Sequence, residues 1–312
     1  MKEDIRDVQY CSLKEALLKD LSVAPLTSAT TRLKDRWDKR FVPPLSEKVR
    51  LDLEAKESFI KLNASLGSIN LDSLRMREAI GEAQAFIRNA LIKFTKNSRY
   101  ENLWNVQQTL DMRLLYDLWR FGPGSSKGVT GTHFVEKVNQ PFTCSAKSLP
   151  YVRNLRKLTP LINKFDLEHD GFCGVVIVEG SSLSSVGKNR EKNRTIATEP
   201  SGQMAMQLAL GMYITGALKS IGLDITTQEG KNKQLAFLAS LSGLLATLDL
   251  SNASDMILKD LIRLLWPEDF YYLMMDLRSS ECDISLSDSK VSIELNMMST
   301  MGNGFTFPMM TL

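Results

Sequence analysis

The stretch Thr247-Leu248-Asp249-Leu250-Ser251-Asn252-Ala253-Ser254-Asp255 narrows what this chain can be more than any other. Apolar residues lead up to Leu248, so residues 244–248 predict a short buried strand that delivers Asp249 at its end. An acid placed there is fixed by the strand and left wet by the polar turn behind it, an arrangement that suits a metal ligand. Asp255 follows six residues later, at the predicted start of a helix over residues 255–265. The unpaired N–H groups and dipole of a helix start favour an acid there for purely structural reasons. Whether these two acids do chemistry depends on what the rest of the chain brings to them.

Few other chemistries compete. His133 and His169, 36 residues apart, are the two histidines of the chain, which argues against a His-based zinc site or a Ser-His-Asp triad. Cys11, Cys144, Cys173 and Cys282 are scattered with no CxxC pair, as expected of reduced thiols in a cytosolic protein. The start, Met1-Lys2-Glu3-Asp4, is too polar for a signal peptide, and no apolar run approaches the roughly 20 residues of a membrane helix. With 43% hydrophobic and 24% charged residues over 312 positions, there is material for a large core or two domains. A net charge of +3 is no evidence for a nucleic-acid partner, so such a partner must show in where the cations sit.

The first hundred residues read as helical. Residues 46–62 form one candidate, charged on one face. A stronger one begins near Asp72, where Met76, Ala79, Ile80, Ala83, Phe86, Ile87, Ala90 and Leu91 recur at spacings of three and four. A third, over residues 101–120, aligns Leu103, Val106, Leu110, Leu114 and Leu118 and ends in the breaker-rich loop 121–128. Residues 174–179 (GVVIVE) read as a strand and the Ser-rich 180–185 as a loop. After Pro200, Met204, Leu208, Met212 and Ile214 predict a buried helix to about Ile221, and residues 224–234 a polar connection. Residues 267–277 predict a short helix, 285–289 a turn and 291–297 a strand.

Cations cluster in three places. Residues 31–50 mix Arg32, Lys34, Arg36, Lys39, Arg40, Lys48 and Arg50 with acids, which suits a solvated helix face as well as RNA contact. Residues 137–164 hold Lys137, Lys147, Arg153, Arg156, Lys157 and Lys164 and no acid, with Phe142 and Tyr151 interleaved. That composition fits a groove tracking a single strand, or equally a solvated basic surface. In residues 186–200, Lys188, Arg190, Lys192 and Arg194 alternate with other residues, so on an extended segment they point one way. Four cations on one edge repel unless an anion such as a triphosphate lies against them, although edge strands also use lysine simply to resist aggregation.

Five segments, FGPGSSKGV (121–129), VGKNREKNRTIATEP (186–200), TLDLSNASD (247–255), LMMDLRSS (273–280) and MSTMGNGFTF (298–307), in this order and spacing closely resemble the replicase subunit of single-stranded RNA bacteriophages. The resemblance covers most of residues 100–312. It implies an RNA-directed RNA polymerase of α+β class with the right-hand fold: a helical N-terminal region (1–98), fingers (99–218), and a palm with an antiparallel sheet (219–312, incomplete). Asp249 matches the first catalytic aspartate, which binds two Mg²⁺ ions that lower the pKa of the primer 3′-hydroxyl and neutralise charge on the phosphates. Asp255 matches an acid associated with the ribose, where a carboxylate can accept from the 2′-OH that marks RNA. Gly302, Asn303 and Gly304 match the loop that helps select ribose and place the template. Lys188, Lys192 and Arg194 match the fingers cations that hold the incoming nucleoside triphosphate, with Arg190 ranked below them. The implied partners are single-stranded RNA template, product RNA and host translation factors (elongation factors Tu and Ts and a ribosomal protein), in the cytoplasm of the bacterial host and away from membranes.

One departure bears on activity. Family members carry two adjacent aspartates in a strand-turn-strand after the Gly-rich loop, and no Asp-Asp pair occurs in these 312 residues. The expectation is an incomplete chain, without the second half of the palm and the thumb. A non-catalytic single-stranded RNA-binding protein on a fingers scaffold is the alternative. A reverse transcriptase shares the palm logic, but the Gly-Asn-Gly loop and Asp255 favour RNA synthesis. The 312-residue protein is predicted to incorporate no labelled nucleotide on a primed template with Mg²⁺. In a chain extended to include the Asp-Asp motif, Asp249→Asn should abolish synthesis and spare RNA binding; equal loss of binding in a filter assay would make Asp249 structural.

Overall fold

The residues behind Pro200 form the helix around which the larger part of the molecule packs. The computed structural model describes residues 45–67, 74–96, 109–158, 174–188, 192–246, 248, 251–286 and 289–312. The chain divides into two compact units, one of Met1–Phe59 and Ser184–Thr195, the other of Ile60–Leu183 and Ile196–Leu312. Helices and sheets both contribute, so the class is α+β as expected.

In chain order, α1 (Leu45–Ser65), α2 (Leu74–Lys96), α3 (Met112–Asp117) and α4 (Phe134–Val138) precede β1 (Phe142–Cys144), α5 (Leu149–Leu158), β2 (Val175–Ile177), β3 (Ser181–Gly187) and β4 (Asn193–Thr198). Then come α6 (Ser201–Ser220), α7 (Gln228–Ser242), α8 (Lys259–Leu265), α9 (Glu268–Leu277), β5 (Glu281–Ser285), β6 (Lys290–Glu294) and α10 (Thr306–Thr311). Strands β1 and β2 pair in parallel, with Phe142 opposite Val175. A second sheet has the order β4-β3-β5-β6. Its β3–β5 pairing is parallel and its β5–β6 pairing antiparallel. The sheet is therefore mixed: β5 and β6, in the range expected to be palm, pair antiparallel, and their parallel neighbour β3 comes from the range expected to be fingers.

Within the larger unit, α6 is apolar nearly all round, and Ala205, Met206, Ala209, Leu210, Tyr213, Ile214, Ala217 and Leu218 are inaccessible to solvent. Burial extends beyond the Met204, Leu208 and Met212 stripe, which is itself only half-buried. Ile87, Ala90 and Leu91 of α2 join the same core, with Phe94 edge-on to Tyr213 at 5.1 Å. The Tyr213 hydroxyl donates to the Thr109 carbonyl at 2.9 Å and accepts from the Asp111 N–H at 3.1 Å, so its polar end is satisfied inside the core. Earlier in α2, Met76 and Phe86 stay exposed; only the C-terminal turns of the predicted stripe are covered. In the smaller unit, Ser185 Oγ donates to Asp52 of α1 at 2.6 Å, Asn193 Nδ2 donates to Ser185 at 3.0 Å, and Lys56 pairs with Asp52 at 2.7 Å.

Four local expectations are corrected. Residues 180–185 are not a loop: Ser181 and Leu183 are buried and alternate with more exposed neighbours in β3, a period of two that serine disguised. Residues 224–234 are not all connection, because α7 starts at Gln228; its Gln, Lys, Leu and Ala are good helix formers whatever their polarity. The helix ends at Gly243, which adopts φ 68° and donates to Ala239 O at 2.9 Å. Residues 244–246 and 248 form no buried strand. Leu244 is 86% and Leu248 93% exposed, and no strand among the described residues supplies the hydrogen bonds a strand needs. Finally, the helix expected over 255–265 begins at Lys259. Residues Ala253–Asp255 make a single 3₁₀ turn, and Leu258 is drawn into a bridge with Met297. The predicted helix over 101–120 is described only from Thr109 on, where α3 is six residues long.

Gly211 tests the central packing. A Cβ there would lie 2.3 Å from the Gly304 carbonyl oxygen, whereas one at Gly81 on α2 meets nothing within 4 Å. Gly211→Ala should destabilise by about 1–3 kcal/mol and Gly81→Ala should stabilise by up to about 1 kcal/mol. Urea denaturation checks both, and an unshifted Gly211→Ala midpoint would contradict this packing.

Candidate functional site

The segment MSTMGNGF crosses the interior of the larger unit as a loop pinned at several backbone positions. Met298 donates to Ile257 O at 2.6 Å, and Ala197 of β4 donates to Met301 O at 2.8 Å. Gly302 takes φ 118°, and a Cβ on it would stand 2.2 Å from Ala197 O. A Cβ on Gly304 would stand 2.7 Å from Leu208 N. Both glycines are thus demanded by close approach of backbone to backbone, the first also by its left-handed conformation. Between them, Asn303 is 8% exposed, and its Oδ1 accepts from Phe305 N–H at 3.0 Å ahead of α10. Its Nδ2 donates to no protein group among the described residues.

Asp255 meets this loop. Its Oδ1 accepts from Met301 N–H at 3.1 Å, so two acidic and Gly-rich motifs 46 residues apart become neighbours. Asp255 is therefore not the cap of α8, the bland role open to it in the sequence; it braces the loop. Burial pushes its pKa up, against the pull of the Met301 N–H and the Ser254 hydroxyl. Asn252, at φ 51°, turns the chain just before it, a conformation asparagine tolerates better than most residues.

Behind the loop lies a buried polar network that the sequence motifs contained but did not single out. Arg278, 5% exposed, donates Nε to Met298 O at 3.1 Å and Nη2 to Leu295 O at 2.9 Å and Met297 O at 3.0 Å. Gln207 Nε2 donates to Leu277 O at 2.7 Å, and its Oε1 accepts from Gly304 N–H at 3.3 Å. One turn earlier, Gln203 Nε2 donates to Glu199 and to Ser279 Oγ at 3.2 Å each, while its Oε1 accepts from Ser145 N–H and Ser148 Oγ. Ser279 Oγ donates to Glu199 at 2.5 Å. Glu199 is 1% exposed, and burial pushes its pKa up against the Ser279 hydrogen bond and the positive charges of Arg278 and Lys127. The one signal available was a charge inside an apolar context, Glu199 just ahead of the apolar helix and Arg278 just behind one. Sequence alone does not say which way such a charge faces.

The cations divide differently from the expectation. Lys188, Lys192 and Arg194 are exposed, in the smaller unit. Lys188 N–H donates to Lys192 O at 3.0 Å and β3 lies beside β4, so Lys188 and Lys192 face each other across a strand pair instead of lying along one extended edge. Arg190 lies outside the described residues, as does Asp249. Of the basic run 137–164, Lys137 is 1% exposed with its Nζ on Gly122 O at 2.8 Å, and Arg156 is buried with its guanidinium 5.2 Å from the Phe142 ring centre. Lys147 and Lys157 are exposed, and Lys164 lies outside the described residues. Two of the six cations therefore serve the interior, and the run is neither a continuous groove nor one solvated face. The segment 31–44 is likewise outside the described residues.

Burial pushes the Cys144 thiol up to about 12 and the Cys282 thiol to about 11, far from a nucleophilic thiolate. Among the described residues no group of three or more His, Cys, Asp or Glu gathers to hold a metal ion, and no helix is long and apolar enough to cross a membrane.

An α+β chain in which an acid after a polar turn braces a Gly-Asn-Gly loop points to the polymerase-like proteins that the five motifs resemble. A family model described as RNA replicase, beta-chain, matches residues 42–312, and the chain belongs to that family. Among its relatives, the RNA-directed RNA polymerase beta chain of Enterobacteria phage GA is 39% identical over 130 residues, 42% of this chain and 24% of the relative. The corresponding beta chain of Escherichia phage MS2 is 37% identical over 131 residues, 42% and 23% of the two chains. The beta subunit of Escherichia virus Qbeta is 35% identical over 172 residues, 55% and 27%. The matches thus span about a quarter of the length of these relatives. The family resemblance expected from the motifs is borne out.

Glu199 gives the network a pH signature. A carboxyl whose folded pKa is raised holds its proton more tightly when folded, so its contribution to stability is greatest at low pH and declines as pH rises from the ordinary carboxylate range through the raised value. Asp255 acts in the same direction. Glu199→Gln keeps an oxygen for Ser279 and Gln203 and should flatten this decline, with urea midpoints above wild type at pH 8 and near it at pH 4.5. Parallel midpoint-versus-pH curves for the two proteins would show that Glu199 does not carry the effect.

Proposed function

We propose that this chain is part of a template-directed RNA polymerase that copies single-stranded phage RNA by nucleotidyl transfer from nucleoside triphosphates, for genome replication in the cytoplasm of a bacterial host. The observation that supports this best is the hydrogen bond between Asp255 and Met301, which draws the acid and the Gly-Asn-Gly loop into one place. A carboxylate with acceptor capacity and an asparagine whose Nδ2 has no partner among the described residues suit the two hydroxyls of a ribose, each of which both donates and accepts. In this reading residues 99–218 are fingers and residues 219–312 belong to the palm of a right-hand polymerase. Gly302 and Gly304 hold the loop close enough to the core for Asn303 to keep a fixed position.

Lys188, Lys192 and Arg194 are exposed, unlike the cations of residues 137–164 that turn inward, and we assign them to the triphosphate. Asp249 is assigned as the Mg²⁺ ligand on its motif alone. The described residues do not themselves make a Mg²⁺ site. Host translation factors are carried as proposed partners from the family resemblance, without residues assigned to them.

Ribose selection is testable without synthesis. In calorimetric titrations with Mg²⁺, the 312-residue protein should bind ATP more tightly than dATP, and Asp255→Ala should reduce that preference by about three- to tenfold, the worth of one hydrogen bond. Equal affinities in the wild type would instead favour a non-catalytic RNA-binding role.

A further inference from the structure

We infer that Gln207 is a positioning residue for the Gly-Asn-Gly loop, keeping Asn303 where the ribose contact requires it; the inference rests on the ribose reading above. Besides its backbone bonds, three side chains from outside the loop tether it, and they differ in kind. At its entry, Arg278 gathers the carbonyls of Leu295, Met297 and Met298. In the middle, Met301 is held from both sides, its N–H by Asp255 and its carbonyl by Ala197. At the exit, Gly304 N–H is held by Gln207 Oε1. Asn303 stands between the second and third tethers. On the exit side Asn303 also accepts from Phe305 N–H at 3.0 Å and from Thr306 N–H at 3.4 Å, but those bonds stay within the segment; the third tether is the one that ties that side to α6.

Gln207 suits this task for reasons of chemistry and place. Its carboxamide presents a donor and an acceptor at once, and both are used: Nε2 on Leu277 O, Oε1 on Gly304 N–H. Leu277 ends α9, and the final carbonyls of a helix have no partner within it. One side chain therefore ties the end of α9 to the exit of the loop. A glutamate would turn an acceptor toward the Leu277 carbonyl when ionised, a methionine would leave both groups unpaired, and an asparagine is one methylene shorter. Gln207 is inaccessible to solvent and lies on α6, the most deeply buried helix, so its own position is fixed. The bare backbone of Gly304 lies directly against α6 at Gln207 and Leu208, and Gly211 one turn on leaves room for the Gly304 carbonyl. The helix thus meets the loop through close packing as well as through the amide.

A role exercised through Asn303 differs measurably from a merely structural one. Calorimetric titration of the 312-residue protein with ATP and with dATP gives the ribose preference, and Gln207→Met should reduce it by about three- to tenfold. Asn303→Ala should reduce it too, and the double variant should lose no more than Asn303→Ala alone, because the two residues act in series. Retention of the wild-type preference in Gln207→Met, or losses that multiply in the double variant, would overturn the inference while leaving the ribose reading intact. Equal binding of ATP and dATP by the wild type would overturn that reading and this inference with it. Should Gln207→Met fail to fold, amide hydrogen exchange on the wild type still decides: Gly304 N–H should exchange well below the rate of an unprotected loop amide, and an unprotected rate would refute the tether.

Discussion

Burial of α6 is the constraint on which the rest of the larger unit depends. A helix with solvent on one side can send its polar side chains outward, but α6 has almost no such side, and Gln203, Gln207 and Ser201 on it are inaccessible. Each must therefore find a partner inside, since an unpaired buried amide costs on the order of 1–3 kcal/mol. The partners of the two glutamines lie in and behind the candidate site, Ser279 and Glu199 for Gln203 and Leu277 and Gly304 for Gln207, while the Ser201 hydroxyl accepts from Thr143 on β1. The polar minority of an apolar helix thus sets the register of its neighbours, which apolar packing alone, being non-directional, leaves loose.

The same logic governs the buried charges. Arg278 is surrounded by carbonyls, and Glu199 by a hydroxyl and an amide; neither is in a direct ion pair among the described residues. Lys127 is shared between the carbonyls of Glu179 and Ser181 and the carboxylate of Asp283, which also faces Lys290 at 3.4 Å. Burial would raise the pKa of Asp283, but the two lysines prevail and hold it below the usual range. Glu199, deeper and without a cation in contact, goes the other way. The contrast is one of depth and of distance to positive charge.

Much of this was legible in the chain and some was not, for identifiable reasons. The helix after Pro200, the short helix after Trp266-Pro267 and the strand near Val291 follow from apolar runs with clear stops, and each is present. Strand β3 was hidden because serine at Ser181 sits where an apolar residue usually marks the inward face. Helix α7 was hidden because its exposed surface carries no periodicity, leaving only intrinsic propensity to reveal it. In the sequence Lys137 and Arg156 belong to a run that fits a groove or a solvated basic surface, and nothing in a single sequence distinguishes a lysine over water from one that reaches a carbonyl inside.

By itself the sequence determined the family, because five motifs in fixed order are specific whether or not their residues touch. It also identified Asp255 and the Gly-Asn-Gly segment as residues worth attention. Only the tertiary structure decided what they do to one another. Asp255 is 46 residues from Met301 along the chain, and its capture of the Met301 N–H depends on where α6, β4 and the end of α9 meet. The placement of Gln207 and Arg278 depends on the same meeting. Hydrogen bonds of that kind are set by geometry within a few tenths of an ångström, a quantity that residue type and spacing do not encode locally and that packing around a buried helix does.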